Sequence, residues 1–408
     1  MAAFPQGEPA PADGSLPLTA NSSYSPSFHA YLHIPFCRVR CGYCDFNTYT
    51  ATELRGASQN DFAGIIASEI ALSERVLVDA QAPSRSLASV FFGGGTPTQL
   101  PAADLNFLLG QLRSRFGLNP LAEVTTEANP DNVDQWYLEE LAAGGFTRVS
   151  FGMQSAVASV LKVLDRTHEP ERLPQVVAWA KEAGLQTSVD LIYGAPGETV
   201  ADWQSSLDAA VALQTDHVSA YSLIVEPGTK LARQIKRGEL PEPDEDEQAT
   251  KYELADAALS AAGLSWYEVS NWASAEQTQS IHNLAYWNSA DWWGYGPGAH
   301  SHVAGVRWWN RKHPAEYQSR LQSDMSPALE REVLSEVTRL EEAVLLKIRT
   351  RQGLPTQVIR DLARYRAEVI AGLIADQLIE AKAAMTGTLV LTQRGRLLAD
   401  TVVRQLLA

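Results

Sequence analysis

The chain has little cysteine. Its 408 residues include three, and all three fall within residues 37–44. A disulfide framework needs cysteines spread along the chain, so this clustering excludes a disulfide-stapled secreted protein and favours a reducing compartment, the cytoplasm. The sequence also lacks an apolar run of the length that crosses a bilayer, so we predict no transmembrane segment.

Basic residues are outnumbered as well. Lys and Arg total 33 against 48 Asp and Glu, a net charge of −15. Phosphate binding needs a basic surface, so we predict no nucleic-acid partner. Residues 1–28 contain no Lys or Arg and are rich in Ala, Pro and Ser. They lack the positive start of a secretory signal, and we predict that they form a disordered N-terminal tail.

The three cysteines themselves are closely spaced. Cys37, Cys41 and Cys44 follow a C-x3-C-x2-C pattern directly after an apolar, strand-like run at 30–34. Three thiolates on one loop can bind three irons of a [4Fe–4S] cluster and leave the fourth iron open, whereas ferredoxin-type clusters use four cysteines. Zinc bound by the three cysteines and His33 is one alternative. Three unrelated core thiols are the other.

Strand-like runs alternate with helix-length segments over the first two thirds of the chain. This alternation indicates parallel βα units. Six units predict a partial (βα)6 barrel over residues 29–270, two units short of the full eight, with its functional residues on the loops that follow the strands. The strands are predicted at 30–34, 87–92, 123–127, 148–151, 186–192 and 217–223, and the helices at 57–80, 102–116, 133–143, 170–183, 200–213 and 245–262.

Two further regions follow the barrel. Residues 271–329 are dense in Trp, Tyr, Gly, His and Asn, and we predict an extension that closes the open side of the barrel. From residue 330 the sequence becomes helical again. A short β-like pair near 385–392 and a last helix at 392–407 predict a C-terminal winged-helix-like α+β domain over 330–408.

The cysteine loop and residues 31–37, Y-L-H-I-P-F-C, resemble the radical S-adenosylmethionine (SAM) superfamily, in particular the oxygen-independent coproporphyrinogen III oxidase family. The true oxidases of that family carry a further cysteine two residues after the third. Here that position is Phe46, a departure typical of the haem chaperone (HemW-like) branch. The resemblance covers about residues 29–405. It implies a [4Fe–4S] cluster bound by Cys37, Cys41 and Cys44, with SAM chelating the open iron.

The resemblance also assigns SAM contacts. Independently of it, the Gly-rich loop at 93–95 allows a backbone to approach a ligand closely, although a tight turn is the alternative. The resemblance implies that the cluster-bound SAM is contacted by Tyr31, Gly94 and Glu127. It implies that a second SAM is contacted by Tyr43, Gly95, Thr96, Gln154, Arg166 and Asp190.

Residues 282–287 read H-N-L-A-Y-W and resemble the HNxxYW signature of the haem chaperone branch. The resemblance implies haem binding by His282, Asn283, Tyr286 and Trp287, with His282 as the iron ligand and the two aromatic rings stacked on the macrocycle. A packed aromatic corner with a hydrogen-bonded histidine is the alternative. This stretch follows the last barrel strand, so we expect it to bind haem separately from the cluster.

These features predict a radical SAM haem chaperone with three cofactors, a [4Fe–4S] cluster, SAM and haem. It would pass haem to a haemoprotein acceptor, such as a membrane-bound respiratory protein, with at most slow SAM cleavage and no coproporphyrinogen dehydrogenase activity. The enzyme alternative is that dehydrogenase, which decarboxylates two propionates to give protoporphyrinogen IX. A winged-helix regulator with a redox-sensing cluster is a further alternative, which the acidic charge disfavours.

Overall fold

A 13-stranded sheet forms the body of the protein in the computed structural model, which describes residues 7–50, 54 and 57–408. Its strands are β1 (Glu8–Pro9), β2 (Phe28–Ile34), β3 (Leu87–Gly94), β4 (Leu118–Ala128), β5 (Arg148–Gln154), β6 (Gln186–Tyr193), β7 (His217–Ser222), β8 (Ser265–Glu268), β9 (Asn271–Ala273), β10 (Asp291–Tyr295), β11 (His300–Val303), β12 (Val306–Asn310) and β13 (Ala328–Val333). A separate two-stranded sheet pairs β14 (Leu354–Pro355) with β15 (Thr388–Leu389).

The helices lie between these strands and beyond them. Those of the barrel region are α1 (Phe62–Asp79), α2 (Ala102–Phe116), α3 (Gln135–Gly144), α4 (Ala158–Val163), α5 (Leu173–Glu182), α6 (Val200–Ala212), α7 (Lys230–Lys236) and α8 (Glu245–Ala261). The others are α9 (Ile281–Trp287), α10 (Pro314–Gln322), α11 (Glu336–Lys347), α12 (Thr356–Asp361), α13 (Ala367–Ala375), α14 (Ala381–Met385), α15 (Gln393–Leu397) and α16 (Ala399–Leu407). No helix among the described residues is both long enough and apolar enough to span a membrane.

The partial barrel is built as the sequence predicts. Strands β2 to β7 pair in parallel in chain order, and each is followed by at least one helix. The helices α4 and α7 lie between predicted elements and were not expected. The α/β fold class and the six parallel strands are therefore confirmed.

Successive side chains along each barrel strand point alternately toward the surrounding helices and toward the lumen. In β2, Ala30, Leu32 and Ile34 are fully buried on the helix side, while Tyr31 lines the lumen. Helix α2 covers this outer layer with leucines at 105, 108, 109 and 112, all fully buried. That i, i+3, i+4, i+7 spacing places them on one helix face.

Residues 271–329 add strands at both edges of the parallel barrel strands, and closure of the open side of the barrel by this extension stays a prediction. Strand β10 pairs in parallel with β2, and β11, β12 and β13 continue the sheet from it in antiparallel order. On the opposite edge β9 pairs with β7, and β8 pairs with β9. The extension therefore lengthens the barrel sheet at both edges.

The prediction that residues 1–28 form a disordered tail is wrong for residues 7–28. Strand β1 pairs with β13, Leu18 is 8% exposed, and Ser25 donates its backbone N–H to Asp291 at 3.0 Å. Pairing with a strand some 320 positions away in the chain cannot be read from local composition. Residues 1–6 lie outside the described residues.

The C-terminal region has its own apolar core, which includes Val344, Leu373 and Val402. The β-like pair predicted within 385–392 is wrong, because β15 pairs with the distant β14. The predicted last helix is divided at Leu398 into α15 and α16. The likeness to a winged-helix domain stays a prediction.

Candidate functional site

The barrel lumen encloses a cavity of about 720 Å³. Trp287 is absent from its lining, while every other predicted site residue contributes to it. These lining residues are Tyr31, Cys37, Cys41, Tyr43, Cys44, Gly94, Gly95, Thr96, Glu127, Gln154, Arg166, Asp190, His282, Asn283 and Tyr286.

The cysteine loop begins after the carboxyl end of β2, and its first and last residues are hydrogen-bonded to each other. Tyr49 donates its N–H to the Pro35 carbonyl at 2.7 Å, and Cys37 donates its N–H to the Tyr49 carbonyl at 3.1 Å. Arg166 points its guanidinium at the Cys41 sulfur, 3.7 Å away. A fixed positive charge beside the loop favours thiolates, the form that binds iron.

Burial raises the pKa of Cys37, and it raises the pKa of Cys44 to about 12. Both side chains are therefore thiols in the metal-free protein. Iron binds thiolate, so loading of the loop must release protons.

The donor set fits a [4Fe–4S] cluster better than zinc. One ring nitrogen of His33 bonds the Tyr31 hydroxyl at 3.0 Å and the other the Asn47 carbonyl at 2.9 Å, so His33 would have to give up one of these bonds to act as a fourth ligand. Within the described part of the chain no three Cys, His, Asp or Glu side chains converge on one point, as a single ion requires. Each thiolate of a cluster binds its own iron, so three half-buried thiols facing one cavity suit it.

The Gly-rich loop after β3 packs against the cysteine loop. Gly95 donates its N–H to the Ile34 carbonyl and Thr96 donates to the Phe36 carbonyl, both at 2.8 Å. A Cβ added at Gly95 would lie 2.6 Å from the Phe36 oxygen, and Gly94 has a φ of +110°. Glycine is therefore required here by close approach and by backbone conformation.

Two acidic side chains, Glu127 and Asp190, line the part of the lumen next to the Gly-rich loop. Burial and the nearby charge of Asp190 raise the pKa of Glu127 to about 8. Glu127 accepts the Gly94 N–H at 3.1 Å, and Asp190 accepts the Ser150 hydroxyl at 2.9 Å. A cationic ligand would stabilise both carboxylates, so this part of the cavity fits the ammonium and sulfonium charges of SAM.

Gln154 ends β5 in an unusual conformation. Its φ is +61°, and the pairing of β5 with β6 shifts register between Gly152 and Gln154. The left-handed region costs a non-glycine residue about 1–3 kcal/mol. Arg166 spans this irregularity by donating to the Gly152 carbonyl at 2.9 Å.

Helix α9 lies at the opposite end of the strands. The Glu123 carboxylate, near the middle of β4, accepts the N–H of Ile281 at 2.9 Å and of His282 at 3.3 Å. It also accepts the Ser280 hydroxyl at 3.2 Å and pairs with Arg148 at 3.1 Å. A buried carboxylate thus caps the positive end of α9. The HNxxYW segment forms the floor of the same cavity as the cysteine loop, and haem binding there that does not depend on the cluster stays a prediction.

Ring packing and two hydrogen bonds fix the orientation of the His282 imidazole. It stacks on Phe91 with the ring centroids 5.2 Å apart and meets Tyr286 edge-on at 4.9 Å. Its nitrogens bond Ser89 at 2.7 Å and the Tyr286 hydroxyl at 3.0 Å. Burial lowers its pKa well below the usual value, so the ring is neutral. This geometry matches the hydrogen-bonded aromatic corner, and a haem-ligand role for His282 stays a prediction.

Several polar residues near α9 were not predicted as site residues. Arg148, Ser188 and His217 line the cavity, whereas His29, Ser89 and Glu123 lie beneath it and are hydrogen-bonded to one another or to His282. A usable signal was present, because polar residues recur with a period of two in several strands, as with Arg148, Ser150 and Gln154 of β5, where glycine occupies the intervening position 152. A period of two in a strand buried on both faces marks residues that face a polar lumen.

Known proteins resemble this chain in sequence and in fold. The family model of the radical SAM superfamily matches residues 31–210. The chain is 47% identical to the heme chaperone HemW of Mycobacterium tuberculosis (strain ATCC 25618 / H37Rv), over 93% of this chain and 95% of that protein. It is 32% identical to the heme chaperone HemW of Bacillus subtilis (strain 168), over 80% of this chain and 84% of that protein.

Among solved structures, the fold is similar to that of coproporphyrinogen III oxidase (HemN) from Escherichia coli. The TM-score is 0.78, over 94% of this chain and 91% of that one. The sequence identity is 22%, so this likeness concerns the fold alone.

Proposed function

The chain belongs to the HemW family of the radical SAM superfamily, and on that premise we propose that it is a haem chaperone that binds haem and transfers it to a haemoprotein acceptor. The relatives named above are heme chaperones and match nearly the whole chain at up to 47% identity. The observation that carries the proposal is the single cavity. It joins the cysteine loop at the carboxyl ends of the strands to the HNxxYW helix at their other ends.

We assign the cluster to Cys37, Cys41 and Cys44, with SAM beside it. The cluster, when bound, supplies an electron for cleavage of a carbon–sulfur bond in SAM. The chain's own residues bind and orient. The Gly94 and Gly95 backbone allows close approach, and the Glu127 and Asp190 carboxylates face the positive charges of SAM.

Two further side chains shape this end of the cavity. Arg166 balances the thiolate charge at Cys41. Tyr31, in the first barrel strand, stacks against His282 with the ring centroids 6.3 Å apart. The proposed SAM and haem residues are therefore in direct contact.

Haem is assigned to the floor of the cavity. His282 is the proposed iron ligand, with Asn283 and Tyr286 lining the space beside it. Trp287 lies outside the lining, so we propose no stacking of its ring on haem. The acceptor we propose is a haemoprotein of the respiratory membrane, and the compartment is the cytoplasm, which keeps the cluster thiols reduced.

A haem titration after anaerobic iron–sulfur reconstitution tests the assignment. We expect one [4Fe–4S] cluster per chain, lost in Cys41→Ala by iron analysis and EPR. The triple Cys37→Ala, Cys41→Ala, Cys44→Ala variant should still bind haem, because the floor residues remain. His282→Ala should lose or shift the Soret band. His217→Ala is the matched control, since His217 is also a buried histidine of this cavity.

Two results would overturn these assignments. An unchanged Soret band and haem affinity in His282→Ala would remove the iron ligand. Failure of every protein, including the wild type, to bind haem above a nonspecific control would remove the chaperone function.

Incubation of the reduced protein with SAM and coproporphyrinogen III tests the enzyme alternative. Phe46 stands where the oxidases carry a further cysteine, and it is 61% exposed. We expect no protoporphyrinogen IX. Its formation at many turnovers would favour the dehydrogenase.

A further inference from the structure

A chain of hydrogen bonds runs beneath the cavity and passes through His282 to Tyr286. The Ser27 hydroxyl bonds Nε2 of His29 at 2.9 Å, and Nδ1 of His29 bonds the Ser89 hydroxyl at 2.8 Å. Ser89 bonds Nδ1 of His282 at 2.7 Å, and Nε2 of His282 bonds the Tyr286 hydroxyl at 3.0 Å. The chain thus joins the start of β2 to the lumen.

Every member of this chain can both donate and accept. His29, Ser89 and His282 are each at most 2% exposed. The partners of all four ring nitrogens are hydroxyl groups, and a buried imidazolium would need an anionic partner, so both imidazoles are neutral. A neutral imidazole carries one N–H, and a serine hydroxyl carries one proton.

Because each of these groups carries a single proton, the protonated nitrogen of one histidine determines the protonated nitrogen of the other. Ser89 bonds Nδ1 of both rings, but it can donate to only one of them and must accept from the other. If His282 carries its proton on Nδ1, its Nε2 is a bare acceptor for Tyr286, and Ser89 donates to His29. In the opposite arrangement, Nε2 of His282 carries the proton and cannot bind a metal.

The tyrosine selects between the two arrangements. A phenol, with a pKa near 10, is a stronger acid than an alkyl hydroxyl and therefore the better donor. Donation from Tyr286 to Nε2 favours the first arrangement. The face of the ring is fixed at the same time by Phe91, which stacks on it at 5.2 Å and an interplanar angle of 22°.

We propose that Ser89 and His29 are positioning residues that hold His282 with its proton on Nδ1 and so present the bare Nε2 to the haem iron. This inference rests on the proposed function. In the haem-free protein, the Tyr286 hydroxyl occupies the position beside Nε2 that the haem iron would take. The partner of Nδ1 is a neutral hydroxyl instead of the carboxylate that often raises the basicity of a metal-bound histidine. Such a ligand binds more weakly, which suits a cargo that must be released.

The tautomer can be measured without haem. Nitrogen-15 NMR of histidine-labelled protein distinguishes a protonated Nδ1 from a protonated Nε2, and the His282→Ala spectrum identifies the signals. We expect Nδ1–H in the wild type. In Ser89→Ala the preference should be lost, and in His29→Phe it should reverse, because Ser89 then has only His282 to donate to. A protonated Nε2 in the wild type would overturn the proposal with no variant required.

Haem binding supplies the second readout. Loss of an outer hydrogen bond typically weakens metal binding about 10- to 100-fold. We expect that loss in Ser89→Ala, together with a shifted haem reduction potential, and recovery of both in Ser89→Thr, which restores the hydroxyl.

Ser188→Ala is the matched control. Ser188 bonds Nδ1 of His217 at 2.9 Å, and Nε2 of His217 bonds the Tyr267 hydroxyl at 2.8 Å, on another wall of the same cavity. It should leave haem affinity and potential unchanged.

The outcomes separate this inference from the proposed function. Equal haem affinity and potential in the wild type, Ser89→Ala and Ser188→Ala, alongside a Soret band that depends on His282, would reject the positioning role alone. A Soret band that is insensitive to His282→Ala would reject the ligand assignment and this proposal with it.

Discussion

At the scale of single residues, both acidic and basic side chains line the lumen. Glu127 and Asp190 face the cavity, and Arg166 lies against Cys41. The family resemblance predicted these residues, because Glu127 and Asp190 lie on barrel strands and Arg166 follows β5 at a matching spacing. Glu123 and Ser89 could not be predicted in the same way. Their partners in α9 are more than 150 positions away.

The raised pKa of Glu127 predicts a pH-dependent affinity for SAM. Below pH 8 the carboxyl is protonated, and it must ionise to face a cationic ligand. SAM should therefore bind more tightly as the pH rises from 6 to 8, by up to about tenfold per pH unit, and level off above. Anaerobic equilibrium dialysis of the reconstituted protein gives the affinities.

Glu127→Gln is the control for this dependence, because it cannot ionise. It should bind SAM more weakly at pH 8.5 and lose the slope, leaving only the titration of SAM itself. The same slope in the variant and the wild type would show that Glu127 is not the titrating group.

At the scale of elements, α9 is fixed by a buried carboxylate more than by its own length. Seven residues make a helix that is marginal in isolation. Glu123 accepts hydrogen bonds from the first backbone N–H groups of α9, and its charge is paired with that of Arg148. Arg148 also donates to the Thr278 carbonyl at 2.7 Å. The sequence motif marked α9 as important, but its place at the barrel floor depends on this long-range contact.

Glu123→Gln should weaken that contact. It leaves the buried Arg148 without a counter-charge, so we expect the free energy of unfolding to fall by about 3 kcal/mol in urea denaturation. Hydrogen exchange should accelerate at the amides of residues 281–283. The exposed Glu171→Gln variant controls for loss of a surface charge. Unchanged exchange in α9 would contradict the docking role of Glu123.

At the scale of the whole molecule, a buried ion pair is one of the contacts that join the C-terminal region to the barrel. Arg396 of α15 donates to both oxygens of Asp256 in α8, at 3.0 and 2.6 Å, and lies over the Trp266 ring. The six βα units could be predicted because each follows a local pattern. Strands β1, β14 and β15 could not, since each has two residues and a distant partner.

A double-mutant cycle on Arg396→Ala and Asp256→Ala measures this connection. Bidentate pairs that are almost fully buried couple strongly, so we expect an interaction free energy of about 1–3 kcal/mol. The exposed pair Arg237 and Glu239 is the control and should show no measurable coupling. Additive effects of the two buried substitutions would mean that this ion pair does not couple the two regions.

The central claim is that one cavity serves the cluster, SAM and haem. Tyr31, assigned to SAM, stacks on His282, assigned to haem, so the two ligands should affect each other's binding, and the coupling must be reciprocal.

The most direct measurement is a haem titration of the cluster-loaded protein with and without saturating SAM. We predict weaker haem binding and a shifted Soret band in the presence of SAM. We also predict that haem weakens SAM binding by the same factor. Haem affinity and spectra that are identical with and without SAM would contradict a shared cavity.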